Sequence, residues 1–244
     1  MSALGKLIQI EARLFVRDPM TFVVGLLLPT VVLLGLGAIP MLREPSEDMG
    51  GQRFIDYFAP SVIVMAVGVI GLTNLPAVLA AYREQGVLRR MRTTPVHPIK
   101  LLVAQLVVNL GASLLSAALV VAAGNLVYGV PLPKHAWGFA IAFVLGITAV
   151  FALGMLVAAL APTARAATGL STVLFMLAMF FGGVYLPRFM LPDAIARVGD
   201  FVPPGVQSLL DAWTGTAPAV IPLAVMAATA VAAGAVAARI FKWE

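Results

Sequence analysis

LLVAQLVVNLGASLLSAALVVAAGNLVYGVPLP, residues 101–133, runs for 33 positions without one Asp, Glu, Lys, Arg or His. A helix needs about 20 residues to cross the ~30 Å hydrocarbon core of a bilayer, so this stretch crosses once and is too short to cross twice. A single charge at mid-bilayer costs about 2.5–3.5 kcal/mol on insertion scales, which makes such gaps in the charge pattern informative. Five more gaps occur, at residues 19–42, 57–82, 136–164, 166–187 and 212–238, with lengths of 24, 26, 29, 22 and 27. None shows the period-2 alternation of a transmembrane barrel strand. The chain of 244 residues is 61% apolar and 11% charged, with a mean hydropathy of +1.01. A soluble domain has about 45–50% apolar and about 25% charged residues, so there is too little polar surface here to face water.

These gaps predict an all-α polytopic membrane protein, one domain over residues 1–244, with transmembrane helices at 19–42, 57–82, 101–128, 137–161, 166–187 and 214–238. With the N-terminus inside, eleven of the sixteen basic residues fall on the cytoplasmic side, against four of the eleven acids. The excess of Lys and Arg places both termini in the cytoplasm. Attraction to anionic inner-leaflet lipid accounts for the sequence pI near 10.0, and no nucleic-acid partner is needed to explain it. The first span exceeds the 7–15 residues of a signal-peptide core and is expected to be retained.

The segments between spans carry the remaining signals. In residues 1–18, Leu4, Leu7, Ile8, Leu14 and Phe15 share one helical face while Lys6, Gln9, Arg13 and Arg17 share another, the pattern of a helix lying along a membrane surface. Glu11 sits awkwardly near its apolar face. Residues 83–97 hold Arg83, Glu84, Gly86, Arg89, Arg90, Arg92 and Pro95, a short cytoplasmic helix bounded by chain bends. Two readings stay open at this point: a loop held to anionic lipid, or a docking helix for a cytoplasmic partner. Residues 188–211 are too apolar for an ordinary loop. Leu191, Ile195 and Val198 share a face and Pro203-Pro204 stops a helix, which suits a pair of helices dipping back into the outer leaflet as well as an amphipathic surface loop.

Much chemistry is missing. The absence of cysteine removes disulfides, thiolate metal sites and a thiol nucleophile. There is no G-x-x-x-x-G-K-[ST] to cradle nucleotide phosphates, no H-E-x-x-H and no G-x-S-x-G. The chain is not expected to be an enzyme or to hold a metal. The spans also lack the Asp, Glu or His that proton-coupled carriers place there, Asp56 being the nearest candidate and readable as an interface residue. Energy must then come from a partner, unless the protein is an ion-coupled or passive carrier using backbone carbonyls and hydroxyls.

The sequence resembles the membrane subunit of ABC-type-2 exporters, in particular the permeases of daunorubicin and multidrug resistance systems. The resemblance rests on the basic first helix ending in Arg17-Asp18-Pro19, on Phe58-Ala59-Pro60, and most on Glu84-x-Gly86-x-x-x-Arg90-x-Arg92-x-x-Pro95. The exit Phe180-Phe181-Gly182-Gly183-Val184-Tyr185-Leu186-Pro187, with Leu191-Pro192 and Pro203-Pro204, completes it. It implies two six-span subunits, a second copy or a homologous permease, each engaging a separate ATPase subunit that binds the ATP and magnesium. It further implies that Arg13, Arg17, Glu84, Gly86, Arg89, Arg90, Arg92 and Pro95 couple the spans to that ATPase. Gly182, Gly183, Pro187, Pro192, Pro203 and Pro204 would then shape an outer re-entrant hairpin between helices 5 and 6. An adaptable apolar surface for a hydrophobic or amphiphilic cargo is expected at Met176, Met179, Phe180 and Phe181, and Asn74, Asn109 and Asn125 are expected to bond between helices.

Overall fold

The structure, a computed structural model, describes residues 2–47, 51–91, 97, 99–185 and 190–241. It is nearly all helical, and among the described residues six helices are long and apolar enough to cross a membrane. The protein is a multi-pass membrane protein. Helix α1 (Ala3–Arg17) is followed by spans α2 (Pro19–Gly37) and α3 (Phe54–Glu84), the short α4 (Val87–Met91), and spans α5 (Ile99–Tyr128), α6 (Ala136–Leu160) and α7 (Ala164–Phe181). Two short helices, α8 (Asp193–Gly199) and α9 (Val206–Thr214), precede the last span α10 (Val220–Ile240). Pro45–Ser46 and Gln52–Arg53 pair as a minimal antiparallel ladder between α2 and α3.

Helix ends depart from the charge-free gaps for local reasons. α2 stops at Gly37 and not at Leu42, because Pro40 cannot donate and opens a 3-10 turn, Pro40–Arg43. α3 begins three residues before the gap and ends two after it, so Asp56, Arg83 and Glu84 are helical. Arg53 tethers Asp56 through both carboxylate oxygens, at 2.8 and 2.7 Å, and caps the end of α5 through the carbonyls of Tyr128 (3.0 Å) and Gly129 (3.1 Å). The interface reading of Asp56 fits this pairing. The last gap is divided: residues 212–214 finish α9, Gly215 at φ +107 breaks the chain, and the span starts only at Val220.

α3 forms the centre, with Ile55, Ile63, Ile70, Leu72, Leu75 and Leu79 fully buried. α2 and α5 flank it on one side, α6 and α7 on another, and α9 caps α3 and α6 at the end remote from α1. Lipid is as apolar as leucine, so helices associate here through close packing and hydrogen bonds and not through hydrophobic burial. Small residues make the approach possible. A Cβ on Gly154 of α6 would run into the carbonyl oxygen of Gly71 in α3, and one on Gly68 would lie 2.9 Å from the Met179 methyl. α10 packs mainly on α6 and buries Met226, Ala233 and Ala237.

Both α2 and α3 contain a π-helical stretch, Phe22–Leu27 and Val69–Asn74, each followed at once by Leu-Pro (Leu28-Pro29 and Leu75-Pro76). Proline removes one donor and its ring crowds the carbonyl four residues back. Widening the preceding turn to i→i+5 bonds, such as Leu28 N to Val23 O and Leu75 N to Ile70 O, accommodates both effects. The two wide turns meet, since a Cβ on Gly25 would lie 3.2 Å from Ile70. Ser116 of α5 donates to the carbonyl of Leu26 at 3.0 Å within the first of them.

Candidate functional site

The end of the bundle that carries α1 gathers most of the sequence-predicted coupling residues. Arg83 Nη1 donates to Ala158 O at 3.0 Å and Nη2 donates to Ala161 O, two carbonyls at the C-terminal end of α6. Its neighbour Glu84 accepts the backbone N–H of Ala164, the first residue of α7, at 2.9 Å. A cation on terminal carbonyls and an anion on terminal amides both agree with the helix dipoles. The last turn of α3 therefore grips the α6–α7 connection from both sides. Glu84 spends its carboxylate inside the chain, a role its place among docking residues did not suggest.

Gly86, at φ +69, turns the chain sharply after that grip. α4 follows with Leu88 fully buried as its anchor, while Arg89 and Arg90 are exposed. Arg90 Nη2 donates to Gln85 O at 2.9 Å. Arg92 and Pro95 lie outside the described residues. Arg13 and Arg17 are exposed on α1, and Asp18 joins α1 to α2 by accepting from Met20 N at 3.2 Å and from the Thr21 hydroxyl.

Between α1, α3 and α5 lies a polar junction that the sequence did not announce. Glu11 is 5% exposed. Its Oε2 accepts from the Tyr82 hydroxyl at 2.9 Å and from Gln105 Nε2. Asn109 Nδ2 donates to Gln105 Oε1 at 3.0 Å, and Asn74 Nδ2 donates to Asn109 Oδ1 at 2.9 Å. Burial raises the Glu11 carboxyl above its ordinary value, more than its two hydrogen bonds lower it. The awkward placement of Glu11 on an apolar helical face was the available signal. Although no span contributes an acid at mid-length, α1 delivers one to the bundle from outside. A cavity of about 310 Å³ opens beside it, lined also by Asp18, Thr21 and Asn74. Among the described residues no group of three or more His, Cys, Asp or Glu could hold a metal.

At the opposite end, α7 closes with a Schellman motif. Gly183, at φ +76, bonds back to Phe180 O at 3.1 Å, and Val184 N reaches Met179 O at 2.9 Å. Gly182 is buried where a Cβ would lie 3.0 Å from Val206 of α9. Pro187 lies outside the described residues, and Pro192 is exposed at the start of α8. The Pro203-Pro204 bond is cis, and the Pro204 carbonyl fits the dent at Gly146 of α6, where a Cβ would sit 2.6 Å away. Of the four residues expected along a cargo path, Met179 is fully buried in the core and Met176 faces outward at 57% exposure. Phe180 and Phe181 are half-buried with rings edge to face at 5.4 Å. The two methionines thus lie on different surfaces. Asn74 and Asn109 bond across helices, whereas Asn125 caps locally, donating to Val130 O at 2.9 Å.

Comparison with known proteins bears on this arrangement. The family described as ABC-2 type transporter matches the chain over residues 3–204. A Bacillus subtilis (strain 168) protein named "Putative transport permease YvfS" is 26% identical over 148 residues. The matched region spans 60% of this chain and 60% of that protein.

Proposed function

The chain belongs to the ABC-2 type transporter family, and we propose from that premise that it is the permease subunit of an ATP-driven exporter for hydrophobic or amphiphilic cargo. Such a permease is a transport subunit. A separate ATPase subunit binds the ATP and magnesium and docks on the cytoplasmic end through α4 and the basic face of α1. Two copies, or this chain and a homologous permease, enclose the path in the cell membrane, with both termini in the cytoplasm.

The grip of Arg83 and Glu84 on the α6–α7 connection is the observation that most supports this reading. A force applied to α4 passes through Gly86 into a helix end already fastened to two further spans, while the bond between Glu11 and Tyr82 fastens α1 to the same helix. Closure of the ATPases then rocks α3, α6 and α7 together and does not merely bend a loop. The coupling is reciprocal, so cargo alters ATP hydrolysis.

The experiment is the simultaneous replacement of Arg89, Arg90 and Arg92 by alanine in the reconstituted complex. Cargo-stimulated ATP hydrolysis is expected to disappear while the chain stays folded. Unchanged stimulation would sink the docking role of α4. Cargo accumulation by the purified chain alone, against a gradient, would sink the exporter reading as a whole.

A further inference from the structure

The cavity beside Glu11 has a distinct chemical character. Its polar lining consists of Glu11, Asp18, Thr21, Asn74, Tyr82 and Gln105, and among the described residues no Lys, Arg or His lines it. The remaining wall is aliphatic and aromatic, from Leu14, Phe15, Val78 and Ala81. Its volume of about 310 Å³ matches the low end of small-ligand sites, roughly 300–1,000 Å³. Both hydrogen bonds to the Glu11 carboxylate end on Oε2, and among the described residues no donor reaches Oε1. The site therefore presents a buried acceptor with spare capacity, a second carboxylate nearer the exposed edge, and an apolar flank.

We propose that this cavity binds the ammonium group of an amphiphilic organic cation, with Glu11 as its counter-ion and the apolar body against Phe15 and Val78. A neutral ligand leaves the carboxylates uncompensated, and an anion is repelled by both. A bare metal ion is disfavoured, since Glu11 and Asp18 are seven residues apart on one helix path, about 10 Å along the axis, too far to share one ion. The same spacing suits an elongated cation whose charged end reaches Glu11 while its body passes Leu14, itself 49% exposed at the edge. An aminophospholipid headgroup and a soluble amine share this chemistry. The site is a property of the chain alone and does not rest on the export reading.

The test uses the purified chain in nanodiscs of phosphatidylglycerol, titrated with hexyltrimethylammonium and, as the uncharged twin, hexanol. The quaternary probe keeps its charge at every pH, and among the described residues the carboxylates lining the cavity are Glu11 and Asp18. Saturable binding is expected for the cation at neutral pH, weakened at least tenfold by Glu11→Gln and about threefold by Asp18→Asn. Hexanol should bind both variants and the parent alike. Helical content and melting temperature identify any variant that has lost its fold, and Asp18→Asn, on the exposed edge, keeps the test open if Glu11→Gln fails. Repeating the titration in phosphatidylethanolamine nanodiscs separates the sources. Loss of probe binding there supports the site with lipid as occupant, and unchanged binding supports it with a soluble cation. Equal affinity of the cation for the parent and every folded carboxamide variant overturns the proposal, whatever the outcome with the ATPase.

Discussion

Replacing Arg83 by methionine tests whether the end of α3 is a structural clamp or an ordinary surface charge. Methionine keeps the length and helix propensity of the stem but removes both donors, freeing the carbonyls of Ala158 and Ala161. Hydrogen bonds from a charged group contribute about 1.5–3 kcal/mol each, and a cation at a helix C-terminus adds about 0.3–1 kcal/mol. Arg83 is half-buried, so water recovers part of this, and a net loss of about 2 kcal/mol is expected. For a chain of this length 1 kcal/mol shifts the midpoint by about 2–4 °C, which places the expected drop near 4–8 °C. Thermal unfolding followed by tryptophan fluorescence in detergent reads it, with Arg89→Ala as the control, since Arg89 is exposed on α4. The control is expected to melt with the parent yet to lose stimulation of the ATPase. If Arg83→Met melts within 1 °C of the parent, or if the control falls as far, the clamp argument fails.

Two further outcomes follow from the packing. Gly154→Val places its Cβ against the carbonyl of Gly71, and overpacking of about 1–3 kcal/mol or more should reduce the folded yield, whereas Gly111→Ala, with open space around it, should leave yield unchanged on size-exclusion chromatography. Glu11 has its carboxyl raised in the folded chain, so its contribution to stability is fully present below the ordinary carboxylate value and is lost as pH rises through the raised one. Melting temperatures of the parent should therefore fall over that window relative to Glu11→Gln, and parallel curves for the two proteins would contradict the assignment.

The number and order of the spans were legible because lipid imposes a hard rule: about twenty residues without charge for each crossing. Helix ends were less so. Hydropathy does not change at Gly37 or Gly215, where backbone chemistry decides, and at Arg83 and Glu84 the charges are absorbed by the neighbouring ends of α6 and α7. The polar junction was hidden for a different reason. Glu11 meets Tyr82 and Gln105 across 71 and 94 residues, and a single sequence shows an ill-placed acid without its partners. Arg83 and Glu84 looked like two more members of a basic loop, since charge alone does not distinguish a side chain that meets water from one that caps a helix. Met176 and Met179 looked alike on composition, and only the depth of α7 against α3 separates them.

The paired wide turns in α2 and α3 bear on how the gene tolerates change. Each holds one residue beyond what a regular ladder would use, and one residue corresponds to about 100° of rotation about the helix axis. Deleting one position within Phe22–Leu27 or Val69–Asn74 would let the ladder close regularly while everything beyond it keeps its facing, whereas closing the wide turn without losing a residue would swing the far part of the span by that angle. A codon lost from the regular part of either span has no such slack and re-aims everything beyond it. In these two stretches the wide turn and the residue count together set which face of the span meets its neighbours.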